Sequence, residues 1–222
     1  MPVRPAPDAP PESLRGPRII ALVALLAVLA LYAAFVSRAQ PVRLLPLPTG
    51  VSTEASGTAP SQAHAASVVL AGGCFWGVQA VFQHTRGVLS AVSGYAGGEE
   101  SQANYPAVSS GNSGHAEAVQ LIYDPREITL GEILQVFFSV AHDPTERGRQ
   151  GPDFGPQYRS AVFYETTEQR DLAQAYIAQL DATGLLSAPI ATEVTALNRF
   201  YRAEPGHQDY ATRNPSTIYI AT

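Results

Sequence analysis

From residue 67 onward the chain alternates between two hydrophobic periodicities, and this alternation restricts the fold more than any other feature. Apolar residues occur at every second position or in short runs, as in β-strands, and at helical spacing between those runs. The predicted strands are residues 67–71, 88–96, 116–123, 160–164 and 191–195, and the predicted helices are residues 75–84, 130–141 and 167–183. The order β-α-β-β-α-β-α-β indicates an α+β layered fold with helices on a mainly antiparallel sheet.

Three segments precede this globular part, residues 66–222. Residues 1–18 are rich in proline and are predicted to be disordered. Residues 19–36 carry no charge; as a helix they would measure about 27 Å, close to the roughly 30 Å hydrocarbon core of a bilayer. We therefore predict a single transmembrane anchor, with a signal-peptide core and a buried helix as the other interpretations. Residues 37–65 have the composition of a flexible tether.

Charge adds two expectations about partners and location. Three arginines precede residues 19–36 and two follow closely, a small excess that favours a cytoplasmic N-terminus. The chain is therefore expected to be membrane-anchored, with residues 66–222 in a periplasmic or other extracytoplasmic position. A net charge of −5 without a basic cluster argues against binding to nucleic acid.

Cys74 is the only cysteine, and it lies in the stretch AGGCFWG between a predicted strand and a predicted helix. A single cysteine excludes an intramolecular disulfide and a multi-thiolate metal site. The N-terminus of a helix stabilises a thiolate and lowers its pKa. We therefore interpret Cys74 as a reactive thiol; the alternative is a small buried cysteine at a strand–helix junction.

Three further segments have the composition of functional sites: the loop and strand at residues 104–119, the long loop at 142–160, and HQDY at 207–210. Within the first of them, Glu117 stands between two alanines on a predicted strand. A carboxyl group in such apolar surroundings has a raised pKa and can serve as a protonated acid. The alternative is a solvated glutamate on an edge strand.

Six short motifs follow one another in order: GGCFWG at 72–77, GYAGG at 94–98, GHAEAV at 114–119, HDPT at 142–145, RQG at 149–151 and QYRS at 157–160. Together they resemble the A-type peptide methionine sulfoxide reductases, which act on the S epimer of methionine sulfoxide. The resemblance covers residues 67–215, and six motifs in order are far more specific than one. It implies a ferredoxin-like split βαβ sandwich core with long wrapping loops, here preceded by the predicted transmembrane helix.

The resemblance also implies a mechanism for reducing methionine sulfoxide, free or in proteins, and thereby repairing oxidised proteins. Cys74 corresponds to the nucleophile, which attacks the sulfoxide sulfur and is left as a sulfenic acid when methionine is released. Phe75 and Trp76 correspond to the apolar pocket that receives the S-methyl group of the substrate.

The remaining implied roles concern the sulfoxide oxygen, which needs proton donors. Glu117 corresponds to the acid that protonates this oxygen or hydrogen-bonds to it. Tyr105 and Tyr158 correspond to the hydroxyl groups that contact the same oxygen. Asp153 corresponds to an acidic residue of the same substrate-binding pocket. No metal and no bound cofactor are implied.

Three departures from the family pattern affect these expectations. Ser109 stands where some relatives carry a resolving cysteine, so the sulfenic acid must react with an external thiol reductant, a thioredoxin- or glutaredoxin-type protein or a small thiol. Pro156 stands where threonine is common and removes an N–H from the loop that bears Asp153 and Tyr158. Gly206 stands where an aromatic residue is common, which would open one wall of the pocket.

Two other functional classes remain open at this point. The missing resolving cysteine and Pro156 are compatible with a non-catalytic module that binds sulfoxides or senses redox state. A cysteine-dependent acyl transferase is the third interpretation, although none of the histidines stands in a recognisable hydrolase signature.

Overall fold

The computed structural model describes residues 44–50 and 65–217, all within the unit Arg43–Thr222. The strands are β1 (Ala66–Gly72), β2 (Val88–Ala96), β3 (Ala116–Tyr123), β4 (Arg149–Gln150), β5 (Asp153–Phe154), β6 (Ser160–Tyr164), β7 (Glu193–Ala196) and β8 (Phe200–Arg202). The helices are α1 (Phe75–Gln83), α2 (Tyr105–Ser109), α3 (Leu130–Val136), α4 (Thr167–Thr183) and α5 (Tyr210–Arg213). A π-helical turn, Phe137–Ala141, continues α3.

Among the described residues, six strands form one sheet in the order β7-β6-β1-β3-β2-β8. All neighbouring pairs are antiparallel except β6 and β7, which are parallel and connected through α4. Strands β4 and β5 form a separate two-stranded hairpin. The registers place Gly72 at the end of β1 opposite Ser160, and Tyr95 of β2 opposite Glu117 of β3. The carboxyl end of β1 thus leads directly to Cys74, and Glu117 lies in the middle of the sheet.

The central strands are buried on both faces, which explains their nearly continuous apolar sequences. In β1, Val68 and Leu70 belong to the larger core cluster, which also contains buried residues of α1, α3 and α4. Val69 and Ala71 belong to a smaller cluster rich in alanine, against which Leu197 and Phe200 pack. The side chains of β1 therefore alternate between two apolar environments rather than between core and solvent.

Helix ends follow the local sequence signals. Thr129 and Glu132 form a complete capping box at the start of α3, in which each side chain accepts a hydrogen bond from the other's backbone N–H. Gly184 ends α4 in the left-handed conformation, with φ of +63°. The helix predicted for residues 130–141 is α-helical only to Val136 and then widens into the π-helical turn.

Residues 44–50, which lie in the predicted tether, form a short strap against α3 and α4. Leu45 is 8% exposed, and its N–H donates to the hydroxyl of Ser139 over 2.9 Å. The Tyr176 hydroxyl donates to the carbonyl of Pro46 over 2.6 Å, and Gln179 bonds to the backbone of the strap at two points. Because these contacts satisfy backbone groups of the strap, this part of the tether is ordered on the helical layer.

The predicted fold class requires a correction. No helix of the described residues is both long and apolar enough to cross a bilayer, and the segment 19–36 that was to do so lies outside those residues. Segment 1–18 also lies outside the described residues, and so does segment 37–65 except for residues 44–50 and 65. The structure is an α+β core whose sheet contains β7 and β8 in addition to the four strands of a split βαβ unit. Strand β8 escapes sequence prediction because three residues are too few to show a periodicity.

Candidate active site

Cys74 lies in the turn between β1 and α1, and two glycines allow other parts of the chain to pack directly against this turn. A Cβ atom on Gly72 would lie 3.1 Å from the ring of His142. Gly73 has a φ of +90°, and a Cβ atom there would lie only 2.5 Å from Cγ of Gln150. Glycine is therefore required at position 72 by close packing, and at position 73 by both close packing and the backbone conformation.

The two side chains that cover these glycines are held by hydrogen bonds of their own. Nδ1–H of His142 donates to the carbonyl of Phe137 over 3.1 Å, so its Nε2 accepts from the hydroxyl of Ser160 over 2.7 Å. Desolvation lowers the pKa of His142 to about 4, and the ring is neutral at pH 7. The Gln150 amide accepts from the N–H of Asp143 and donates to its carbonyl. The long loop after α3 is thereby fixed against the cysteine turn.

Cys74 is the N-cap residue of α1 and is partly exposed. Its φ of −57° and ψ of 120° are non-helical, so the helix starts at Phe75. Phe75 is 1% exposed and Trp76 is partly exposed, with 6.3 Å between their ring centroids. The structure therefore places the thiol and the two aromatic side chains at the same end of one helix.

Glu117 reaches this helix end from β3. Its Oε2 accepts a hydrogen bond from the backbone N–H of Phe75 over 3.0 Å, and the residue is 2% exposed. Strand β3 lies between β1 and β2, so the alternative of a solvated edge-strand glutamate is wrong. Burial raises the pKa of Glu117 to about 7, with the Phe75 hydrogen bond opposing this shift and the charge of Asp153 adding to it. A substantial fraction of this carboxyl group is therefore protonated at neutral pH.

Tyr105 at the start of α2 and Tyr158 before β6 belong to the same electrostatic environment. Burial is the largest cause that raises the pKa of each hydroxyl, and the charge of Glu117 is the second. The charges of Cys74 and Asp153 raise both pKa values further. The charges of Glu117, Cys74 and Asp153 thus all act on both hydroxyl groups. Both tyrosines remain neutral hydrogen-bond donors over the physiological pH range.

Pro156 is accommodated in the loop that carries Tyr158. It occupies the first position of a 3₁₀ turn, Pro156–Tyr158, where the missing N–H would have no partner within the turn. The side-chain amide of Gln157 in this turn donates to the backbone carbonyl of Ser109 at the end of α2 over 3.3 Å. The two segments that carry the hydroxyl groups are thus connected to each other.

Glu204 lies near the site but is not found by sequence reasoning, and Tyr95 is found only as part of the GYAGG motif, without a role. The carboxylate of Glu204 accepts from the N–H of Tyr105 over 2.9 Å and from the hydroxyl of Tyr95 over 2.7 Å. Tyr95 is fully buried and lies opposite Glu117 in the sheet. Nothing local in the sequence connects residues 99 or 109 positions apart; only the position of Glu204, three residues before HQDY, places it near a segment already singled out.

Cys74 also adjoins an open groove of about 520 Å³. Its wall includes small or apolar residues of α1 and of the loop after α3, among them Gly77, Val81, Val140 and Pro152. Asp153 contributes a carboxyl group to the same wall. The groove gives a second molecule access to the thiol. Within residues 44–50 and 65–217, no cluster of three or more histidine, cysteine or acidic side chains could hold a metal ion.

Comparison with known proteins gives consistent results. The family model described as "Peptide methionine sulfoxide reductase" matches residues 66–222. A protein of Mesorhizobium japonicum named "Peptide methionine sulfoxide reductase MsrA 2" is 53% identical over 154 residues, which cover 69% of this chain and 79% of that protein. A protein of the same name from a Synechocystis strain is 49% identical over 170 residues, covering 77% of this chain and 76% of that protein.

Solved structures show the same similarity. Reduced Mxr1 from Saccharomyces cerevisiae superposes with a TM-score of 0.65 at 34% sequence identity, covering 72% of this chain and 91% of that chain. Methionine sulfoxide reductase A of Corynebacterium diphtheriae superposes with a TM-score of 0.60 at 33% identity, covering 81% of this chain and 88% of that chain.

Proposed function

Because the chain belongs to the peptide methionine sulfoxide reductase family, we propose that its activity, the thiol-dependent reduction of methionine sulfoxide in the repair of oxidised proteins, takes place at Cys74 and acts on the S epimer. The observation that carries this assignment is the hydrogen bond from the N–H of Phe75 to Glu117. It holds a carboxyl group with a pKa of about 7 beside the helix end that Cys74 caps. A nucleophile and an acid of the protein can thus both act on one substrate.

In the proposed first step, the thiolate of Cys74 attacks the sulfoxide sulfur. The sulfur of the substrate gains two electrons and is released as a thioether. Its oxygen is transferred to the cysteine sulfur and, with one proton, forms a sulfenic acid. Glu117 supplies a proton to the sulfoxide oxygen, which becomes basic as the S–O bond breaks. Tyr105 and Tyr158 donate hydrogen bonds to the same oxygen, and their raised pKa values keep them protonated.

The substrate is held by its methyl group and its polar end. Phe75 and Trp76 form the apolar wall suited to the S-methyl group, because both rings lie at the end of α1 next to Cys74. Asp153 lies on the wall of the groove beside Cys74 and contributes to substrate binding there. Relatives that match most of the chain are reductases, so a module that merely binds sulfoxides is not favoured.

The second half of the reaction requires thiols from outside the chain, because the sequence contains one cysteine. An external thiol attacks the sulfenic acid to form a mixed disulfide and release water; a second thiol then restores Cys74 and leaves as a disulfide. The open groove beside Cys74 gives such a thiol its path. We assign this role to a thioredoxin- or glutaredoxin-type protein.

The test is reduction of the separate epimers of dabsylated methionine sulfoxide with dithiothreitol. The S epimer is expected to be reduced and the R epimer to remain, and Cys74→Ser is expected to abolish activity. Ser109→Ala is the matched control, because its hydroxyl bonds only locally to the carbonyl of Pro106, and it should retain wild-type activity. Single-turnover release of methionine without added thiol separates catalysis from mere binding. Undiminished activity in Cys74→Ser would refute the assignment.

A further inference from the structure

The C-terminal segment 204–210 packs against the proposed site, although none of the roles above uses it. It contains the HQDY sequence and enters the site through His207 and Tyr210. The imidazole of His207 stacks on the ring of Tyr105, with 4.1 Å between centroids and 27° between planes. It also lies nearly parallel to Trp76, at 5.9 Å and 12°. One imidazole is therefore in ring contact with a residue proposed to bind the sulfoxide oxygen and with one proposed to bind the methyl group.

The neighbouring contacts extend this arrangement. Tyr210 stacks on Trp76 with 3.8 Å between centroids and 16° between planes, so the indole has two flat contacts from the segment. His207 also lies 5.7 Å from the ring of Phe75. The rings of Tyr105, His207, Trp76 and Tyr210 form a connected series, and flat aromatic contacts of this kind resist lateral displacement of their members.

Glu204, at the start of the same segment, holds Tyr105 through its backbone. The carboxylate accepts the N–H of Tyr105 at the start of α2 and, through its other oxygen, the hydroxyl of Tyr95. Tyr95 is fully buried and lies opposite Glu117 in the β2–β3 register. Through Tyr95 the segment is thus linked to the strand pair that carries Glu117, and it contacts both the main chain and the ring of Tyr105.

We propose that His207 is a positioning residue: its flat ring sets the distance between Trp76, which contacts the methyl group of the substrate, and the hydroxyl of Tyr105, which contacts the sulfoxide oxygen. Glu204 fixes the backbone that carries this tyrosine. The inference rests on the proposed function, since the separation matters only if one substrate contacts both Trp76 and Tyr105. In this role the ring of His207 acts by its shape, and neither of its nitrogens exchanges a proton with the substrate.

His207→Phe and His207→Leu distinguish shape from proton transfer and from simple bulk. Both replacements are apolar side chains that fill space, but only phenylalanine offers a flat face to Tyr105 and Trp76. For the S epimer, His207→Leu is expected to raise KM about 10-fold and to slow single-turnover methionine release about 10-fold. His207→Phe is expected to stay within about twofold of wild type in both quantities, with an unchanged pH profile.

His84→Leu is the matched control, because the His84 ring bonds to a carbonyl of its own helix, that of Ala80, and should leave both quantities unchanged. Wild-type kinetics in His207→Leu, or equal losses in the leucine and phenylalanine variants, would overturn the inference. If His207→Leu fails to fold, Glu204→Ala takes its place, because it removes both acceptor oxygens and so leaves the N–H of Tyr105 without its partner. It is expected to slow methionine release, and an unchanged rate would again refute the inference.

Wild type and Cys74→Ser are measured in the same series, so that the proposed function and the positioning role of His207 are tested separately. A wild-type protein that leaves the S epimer intact, or an active Cys74→Ser, refutes the proposed function. An active wild type with insensitive His207 and Glu204 variants refutes only the positioning role.

Discussion

The backbone N–H of Phe75 and the carboxylate of Glu117 are joined by a 3.0 Å hydrogen bond between residues 42 positions apart. The donor is the first N–H of the helix that Cys74 caps, and the acceptor lies on the central strand β3. A hydrogen bond of this kind favours the ionised carboxylate, yet burial outweighs it and raises the pKa of Glu117 to about 7. The same contact therefore fixes the position of the acid without removing its proton.

Replacing Glu117 by glutamine should separate position from proton donation. The amide oxygen can still accept the N–H of Phe75, but the side chain cannot supply a proton to the sulfoxide oxygen. We expect single-turnover methionine release to fall by about 10²–10⁴-fold, the range of general acid catalysis. Glu100→Gln, a change at an exposed side chain in the Glu100–Arg199 ion pair, should leave the rate unchanged. An undiminished rate in Glu117→Gln would remove the residue from the mechanism.

The raised pKa of Glu117 also predicts how stability depends on pH. Its ordinary pKa of 4.5 rises to about 7 in the folded protein, so the folded state binds the proton more tightly than the unfolded state. The contribution of Glu117 to the free energy of unfolding is therefore full below pH 4.5 and falls by about 3 kcal/mol as the pH rises to about 7. Glu117→Gln lacks this loss and should gain stability relative to wild type across this range.

The comparison must be the difference between wild type and Glu117→Gln, measured by urea unfolding at several pH values. His142 has a lowered pKa of about 4, so it contributes stability that rises with pH over an overlapping range and masks the slope in wild type alone. A stability difference that stays constant from pH 4.5 to 7.5 would contradict the raised pKa of Glu117.

Gly73→Ala and Gly77→Ala form a matched pair around the cysteine. Gly73 has a φ of +90° and no room for a Cβ atom beside Gln150, so alanine should destabilise the protein by about 1–3 kcal/mol. Gly77 lies in α1 with nothing within 4 Å of the added Cβ, and alanine there should stabilise the protein by up to about 1 kcal/mol. Urea unfolding of both variants checks the sign, and equal effects would show that the packing at Gly73 is unimportant.

Tyr176→Phe tests the strap at residues 44–50. It removes the hydroxyl that donates to the carbonyl of Pro46 while leaving the ring in the core. The free energy of unfolding should fall by about 1 kcal/mol. Limited proteolysis of the native protein should then cleave near the strap earlier than in wild type. A variant as stable and as resistant as wild type would mean that this contact does not hold the strap.

Much of the fold is predictable because its signals are local. The strand at Ser160–Tyr164 and the helix at Thr167–Thr183 occur at the predicted residues, since a short apolar run marks the strand and Gly184 follows the end of the helix. The widening of α3 at Phe137 is not predictable, because residues 130–141 have one continuous helical pattern. The site shows the same division. Cys74 and Glu117 stand out in the sequence, whereas Glu204 and Gln150 acquire their positions only through contacts with distant parts of the chain.

The close packing of Gln150 on Gly73 and of His142 on Gly72 has a consequence for protein engineering. The glycine turn before the sulfur and the loop packed against that turn are complementary in shape, with no room for a Cβ atom at either glycine. Grafting the six-residue cysteine motif alone onto another scaffold would leave an uncovered, strained turn, so a functional transplant must carry both segments together.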